Sequence, residues 1–209
     1  MMIEKGKGGR IGLRKKIYTF FLILCTITFL FCAWKLGQYL FAYHQADQEY
    51  QEIRKIGNTG NDRKEIDFDG LRKMNSDTIG WIYMEGTEID YPIVISHDNN
   101  EYLSRTFQGT SNRSGAIFMD KNCDKEFASD NSVIYGHHMR DGSMFADLLK
   151  FREQSFINEE NDVILYTPER TIPLKVIASY AAKGSTKIPI MFYDEGEKED
   201  YIAEILKKS

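Results

Sequence analysis

Three textures follow one another along the chain. Ile17–Trp34 (IYTFFLILCTITFLFCAW) runs for 18 residues without a charge. At about 1.5 Å per residue, a helix of this length lies near the lower limit for crossing a ~30 Å hydrocarbon layer. Beyond it, Leu36, Tyr39, Leu40 and Tyr43 recur at helical spacing, extended weakly by Ile53 and Ile56. The pattern predicts a helix over 35–56. Gly57-Asn58-Thr59-Gly60-Asn61-Asp62 breaks it as a turn-forming boundary. Phe68, Leu71 and Met74 then mark a short amphipathic helix ending near Asn75.

From Ile79 the pattern changes to short β-type runs separated by turn residues: Ile79–Met84, Ile89–Ile95, Gly115–Met119, Ser132–Tyr135, Val163–Tyr166 and Ile172–Ala181. Glu85-Gly86-Thr87 reads as a hairpin connection. Pro92 assigns the second run to an edge or a bulge, because proline cannot donate to a ladder. Met144, Phe145, Leu148 and Leu149 form a helical stripe, with Asp141 or Ser143 as its N-cap. Glu197–Lys208 reads as a closing helix with Tyr201, Ile202, Ile205 and Leu206 on one face. Many short strands with few helices predict a mainly β fold, a barrel or a sandwich.

Composition and charge refine this picture. The chain has 209 residues, enough for about one domain, and 42% of them are hydrophobic, which is compatible with a packed core. The net charge of −4 is unevenly spread: residues 1–16 hold six basic groups and one acid, leaving 21 Lys and Arg against 30 Asp and Glu. An acidic body argues against nucleic acid as a partner. The basic arm before the apolar run predicts that the N-terminus stays inside and the body lies outside the membrane. Tyr18 and Trp34, at the ends of the run, suit a membrane–water boundary. A cleaved signal peptide is the competing reading, but no small-x-small site follows the run. Bulky Phe31 before Cys32 speaks against a lipoprotein signal. Of three cysteines, Cys25 and Cys32 lie inside the apolar run and only Cys123 lies outside, so no internal disulfide or C-x-x-C metal site is expected in the body.

Four histidines bear on chemistry. His44 falls in the helix after the apolar run and His97 in a polar turn, where surface roles are the simplest reading. His137-His138 follows the strand Val133-Ile134-Tyr135 and Gly136. A strand end is a rigid mount, and imidazole there can act as acid or base near neutral pH. Neighbours on a strand point to opposite faces, so the pair does not chelate one metal. On these grounds a turn histidine and a catalytic one both stand open.

Read in order, GWIYMEGTEIDYPIV (Gly80–Val94), DNNEYL (Asp98–Leu103), SGAIFMD (Ser114–Asp120) and VIYGHHMRDGSMFADLLKF (Val133–Phe151) resemble a class B sortase. The resemblance covers roughly residues 65–208, and its most specific part is the Tyr-Gly-His block followed by Met-Phe. It implies a membrane-anchored cysteine transpeptidase of Gram-positive bacteria, built on an eight-stranded β-barrel and needing no cofactor. In such enzymes a thiolate attacks the carbonyl after Thr in an Asn-Pro-x-Thr-like sorting signal, and a peptidoglycan-precursor amine resolves the thioacyl enzyme. The resemblance maps the catalytic imidazole onto His137, with proton transfer to the leaving amine and from the incoming one. It maps sorting-signal contacts onto Asn99 and Leu103, and a groove-roofing loop and helix onto Ala181–Tyr193. The layout it implies is a basic arm (1–16), a transmembrane anchor (17–34), a juxtamembrane helix and linker (35–64) and a sortase-like catalytic domain (65–209).

One departure is plain. The family's nucleophile lies in a Thr-Leu-x-Thr-Cys strand with an essential Arg after it, and neither block occurs in these residues. The expectation is an incomplete barrel without its late strands, C-terminally truncated and inactive. Cys123 lies in a polar loop beside Asp120 and Asp124, which oppose thiolate formation, and Ser143 is accounted for as a helix cap. A membrane-tethered protein that binds the sorting signal without cleaving it is the alternative. A metal-dependent ectodomain is weaker, because no H-E-x-x-H spacing occurs.

Overall fold

The computed structural model describes residues 7–57, 65–153, 155–156 and 163–208, which fall into two compact units, Met1–His44 and Gln45–Ser209. Helix α1 (Lys7–Gly57) begins in the first unit and ends in the second. In the first unit its apolar side chains are exposed on every face, Phe20, Leu22, Phe29 and Trp34 among them. The hydroxyls of Thr19, Thr26 and Thr28 donate to the carbonyls of Lys15, Leu22 and Leu24. The three threonine hydroxyls of the run are thus satisfied inside the helix, as an apolar surrounding requires. This helix is long and apolar enough to cross a membrane. The turn cluster proposed for 58–62 lies outside the described residues.

In the second unit, the end of α1 lays Ala46, Tyr50, Ile53 and Gly57 inward at spacings of four, three and four. Ile56, paired with Ile53 in the sequence pattern, is exposed instead. A β-carbon on Gly57 would lie 2.7 Å from the Trp81 ring, so the helix ends in direct contact with the indole. Arg54 donates from Nε to the Asp90 carbonyl at 3.0 Å, and its guanidinium lies over the Tyr91 ring. Helix α2 (Phe68–Met74) starts where the Asp67 carboxylate accepts the Gly70 N–H, and it buries Leu71.

Six strands follow: β1 (Thr78–Met84), β2 (Asp90–Ile95), β3 (Ile117–Met119), β4 (Ile134–Tyr135), β5 (Val163–Tyr166) and β6 (Thr171–Leu174). They form one sheet in the order β4-β3-β2-β1-β5-β6, antiparallel except between β2 and β3. The β1–β2 hairpin turns through Gly86 in a positive-φ conformation. The core is carried by the inner strands, where Trp81, Tyr91, Ile93, Val94, Ile117 and Met119 are fully enclosed.

The sheet is open among the described residues, with β4 and β6 outermost, as an incomplete barrel would be rather than a closed one. Other expectations are corrected. Pro92 sits in an inner strand rather than at an edge. The β2–β3 pairing begins only at Ile93, so the missing N–H of Pro92 falls where β2 has a single neighbour. The run expected over Ile172–Ala181 stops being a strand at Leu174. The stripe after Met144 is a 3₁₀ helix, Ala146–Arg152, with no side-chain cap. Asp141 Oδ1 accepts both the N–H and the hydroxyl of Ser143, which makes a local turn before that helix. Helix α3 (Glu195–Lys208) keeps Tyr201, Ile202 and Ile205 half-buried on one side, while Leu206 is exposed.

The buried end of α1 is therefore structural for the second unit. Ile53→Ala should destabilise it by about 2–5 kcal/mol, as for other enclosed aliphatic side chains. Ile177→Ala, on an exposed side chain, should stay within about 0.5 kcal/mol of the parent. Chemical denaturation of the full chain in detergent micelles checks both; equal effects would assign the end of α1 no part in the core.

Candidate active site

His137 is the first residue but one after β4, and three features of its surroundings fix it. Its Nε2 lies 2.7 Å from the carbonyl oxygen of Leu103. A carbonyl only accepts, so Nε2 carries the proton and Nδ1 is the nitrogen left for exchange. The second feature is Gly115, at φ +59: a β-carbon there would stand 2.5 Å from the Tyr102 oxygen and 3.1 Å from both the Leu103 oxygen and His137 Cδ2. The third is Gly136, where a β-carbon would meet Ile117 and Phe145 at 2.5 and 2.6 Å. Only glycine lets these segments close on the imidazole.

The return loop after His137 is held just as closely. Phe145 N–H donates to the His137 carbonyl at 2.9 Å, and His138 bridges to Met144. Met144 adopts φ +58, a conformation costly for a side chain of its kind. Its N–H is bound by the hydroxyl of Tyr91 at 3.0 Å, and its side chain is enclosed. Tyr91 in turn meets Tyr50 edge to face at 5.2 Å, and Tyr50 donates to the Gly115 carbonyl. Burial pushes the Tyr91 hydroxyl above its usual range, so it remains a neutral hydrogen-bonding group.

A second cluster surrounds Asp120, at the end of β3. Its carboxylate accepts from Asn99 Nδ2, from the Tyr135 hydroxyl, and from both N–H groups offered by Asn122. Burial works to raise the Asp120 pKa, but these donors outweigh it and the net shift is downward. Tyr135 is pushed up to about 12 by burial and by its bond to Asp120. The carboxylate is therefore ionised and the phenol protonated at neutral pH.

The structure brings together part of what the sequence singles out. His137 and Leu103 are in direct contact, and Leu103 keeps its side chain exposed. Asn99 is half-buried in the Asp120 cluster. His138 is exposed, as are His44 on α1 and His97 after β2. Cys123 is enclosed rather than exposed in its loop: its Sγ accepts the Val133 N–H at 3.4 Å and lies 3.7 Å from the Asn131 carbonyl. Burial, with Asp120 nearby, pushes that thiol up, which disfavours a thiolate. Ala181–Tyr193 contains no regular helix or strand; Pro189 and Ile190 carbonyls accept from Asn131. Gly115, Tyr91 and Asp120 escaped notice as site residues, although each lies within a block quoted for the resemblance.

On the His138 side of this strand end opens a cavity of about 580 Å³, lined mainly by apolar side chains, with His137 not among its walls. Gly136, His138, Phe145, Leu148, Leu149 and Tyr180 are among its walls. It thus reaches both neighbours of the imidazole in the chain.

The chain is 33% identical over 188 residues to sortase B of Listeria monocytogenes, covering 87% of this chain and 76% of that protein. It is 26% identical over 202 residues to sortase B of Staphylococcus aureus, covering 93% and 82%. Among solved structures, sortase B from Bacillus anthracis in complex with AAEK1 superposes with a TM-score of 0.73 at 30% identity, over 81% of this chain and 82% of that one. A Staphylococcus aureus sortase B–substrate complex gives 0.65 at 29% identity, over 68% and 66%. No protein-family model matches the chain.

Two outcomes follow from the geometry. Nitrogen-15 NMR should find neutral His137 protonated on Nε2, and Gly115→Ala should abolish that preference by displacing the Leu103 carbonyl; an Nδ1–H tautomer in the parent would contradict the contact. Asp120, whose pKa is lowered by folding, contributes stability present above the unfolded-state carboxylate range near ~4 and lost as pH falls through its depressed folded value. Asp120→Asn should therefore flatten the acid-side decline of the melting temperature below about pH 4, and an unchanged acid limb would exclude this carboxylate as a contributor.

Proposed function

This chain belongs to the sortase B family, a family of cysteine transpeptidases, and on that premise we propose that it recognises an Asn-Pro-x-Thr-like sorting signal beside His137 for attachment of surface proteins to peptidoglycan. The observation that carries this reading is the 2.7 Å contact between His137 Nε2 and the Leu103 carbonyl. It joins the block expected to transfer protons to the block expected to hold the signal. A sorting-signal partner also fits the Staphylococcus aureus sortase B–substrate complex.

In the proposed reaction, a thiolate attacks the carbonyl carbon after Thr, and the C–N bond breaks as His137 delivers a proton to the leaving amine. The incoming peptidoglycan-precursor amine then gives a proton to His137 as it displaces the thiol. With Nε2 donating to Leu103, Nδ1 is the nitrogen that exchanges these protons. Leu103 and Asn99 contact the signal. Residues 17–34 anchor the protein in the membrane, with 1–16 inside, 35–64 as juxtamembrane helix and linker, and 65–209 outside as the catalytic domain.

The thiol and the guanidinium of the reaction are not supplied by these 209 residues. No Thr-Leu-x-Thr-Cys block or following Arg occurs among them, and Cys123 is tied to backbone on both sides. On their own they are expected to bind the signal without cleaving it, which is also the behaviour of a tethered, non-catalytic binding protein.

Incubating the full chain in micelles with a labelled Asn-Pro-Ala-Thr peptide tests this. Binding should be measurable, mass spectrometry should find no acyl adduct, and His137→Ala should leave affinity within about twofold. Leu103→Ala should weaken binding about tenfold, the loss expected for nearly two buried methyl groups. An adduct on Cys123, or a complete loss of binding in His137→Ala, would overturn the reading.

A further inference from the structure

Asn99 is half-exposed, but its amide is held in a single orientation. Its Oδ1 accepts the Lys121 N–H at 2.9 Å, and its Nδ2 donates to Asp120 Oδ2 at 2.8 Å. A flipped amide would set its oxygen against a carboxylate and its NH₂ against an N–H. Asp120 is itself buried and can serve only as an acceptor. Its Oδ2 also accepts from Tyr135, at 2.9 Å, and its Oδ1 takes both Asn122 donors at the same distance. All four donors around the carboxylate face oxygen, so no neutral side chain of the same shape satisfies them together.

An asparagine amide offers two N–H donors and two lone pairs. The bonds to Asp120 and Lys121 use one of each and leave one of each for a ligand. A peptide backbone presents the complementary pair, one carbonyl and one N–H. We propose that Asp120 is a positioning residue that fixes the Asn99 amide as an oriented donor–acceptor pair for the backbone of the sorting signal. This rests on the reading of Asn99 as a groove residue. Asp120 does not touch the signal; it acts through Asn99.

The test is a double-mutant cycle on the full chain in micelles, read as affinity for the labelled Asn-Pro-Ala-Thr peptide together with melting temperature. Asn99→Ala should weaken binding about twentyfold, the size of two net hydrogen bonds. Asp120→Asn should weaken it similarly in the parent but by less than about twofold once Asn99 is Ala, since the two act as one unit. Equal weakening by Asp120→Asn in both backgrounds, or none, overturns the proposal while leaving Asn99 in the groove. No loss in Asn99→Ala removes the groove reading and the proposal with it. Asp120→Asn places a donor among donors and will lower the melting temperature, so a paired swap provides the second variant. In Asn99→Asp with Asp120→Asn, the new amide donates to the new carboxylate, and melting should recover towards the parent. Affinity should not recover, because residue 99 then has no N–H to offer; recovery of both would overturn the proposal.

Discussion

An absent β-carbon at Gly115 allows three stretches of backbone to meet around one imidazole. A side chain there would stand 2.5 Å from the Tyr102 carbonyl oxygen, and one at Gly136 would stand 2.5 Å from the Ile117 side chain, closer than packed atoms approach. The Tyr102–Leu103 carbonyls, the start of β3 and the end of β4 are drawn together at the width this permits. His137 gains its carbonyl partner from that closeness. The rest of the second unit can be read as what holds the three stretches in place.

Two supports do so from opposite sides. On one side, Tyr50 from α1 ties down the Gly115 carbonyl and packs on Tyr91, whose hydroxyl secures the backbone of Met144 in its costly conformation. The strain at Met144 is of the order of 1 kcal/mol or more and persists because its surroundings leave the loop no alternative. On the other side, the ionised Asp120 joins the Asn99 loop to the Tyr135 strand. The first support is mostly apolar and insensitive to pH. The second is electrostatic and depends on the carboxylate remaining charged.

Much of this was legible in the sequence, for reasons that differ by element. Val163–Tyr166 is a short run of β-prone apolar residues and is a strand over those residues, and the β1–β2 hairpin follows from two apolar runs about a turn. The four resemblance blocks contain every residue of the two supports except Tyr50, Lys121 and Asn122. Their partnerships were not legible, because they are long-range: Tyr91 is 53 residues from Met144, and Asn99 is 21 from Asp120. Local pattern also misjudged Pro92, since whether a missing N–H matters depends on where the neighbouring strand begins. Ser143 looked like a helix cap and is instead part of an Asp141 turn, because the helix beyond it is 3₁₀ and starts later. The helical pattern of α1 runs through Leu36, Tyr39, Leu40 and Tyr43 and only weakly through Ile53 and Ile56, whereas the second unit buries Ala46 and Tyr50 with Ile53.

On the proposed reading the nucleophile is none of the thiols among these residues, and the surroundings of Cys123 fit that reading. Acyl transfer needs a thiolate within reach of the imidazole and a carbonyl presented to both. Cys25 and Cys32 lie on the exposed apolar part of α1, in the first unit. Cys123 is enclosed, has its sulfur engaged by the backbone of 131–133, and sits close enough to Asp120 for the carboxylate to oppose its ionisation. Freeing it would mean unmaking the turn that Asp120 organises, which is the same turn that orients Asn99. Burial foremost, with the charge that fixes the Asn99 amide adding to it, holds the Cys123 thiol protonated, so the chemistry proposed for His137 requires a sulfur that does not share the Asp120 cluster.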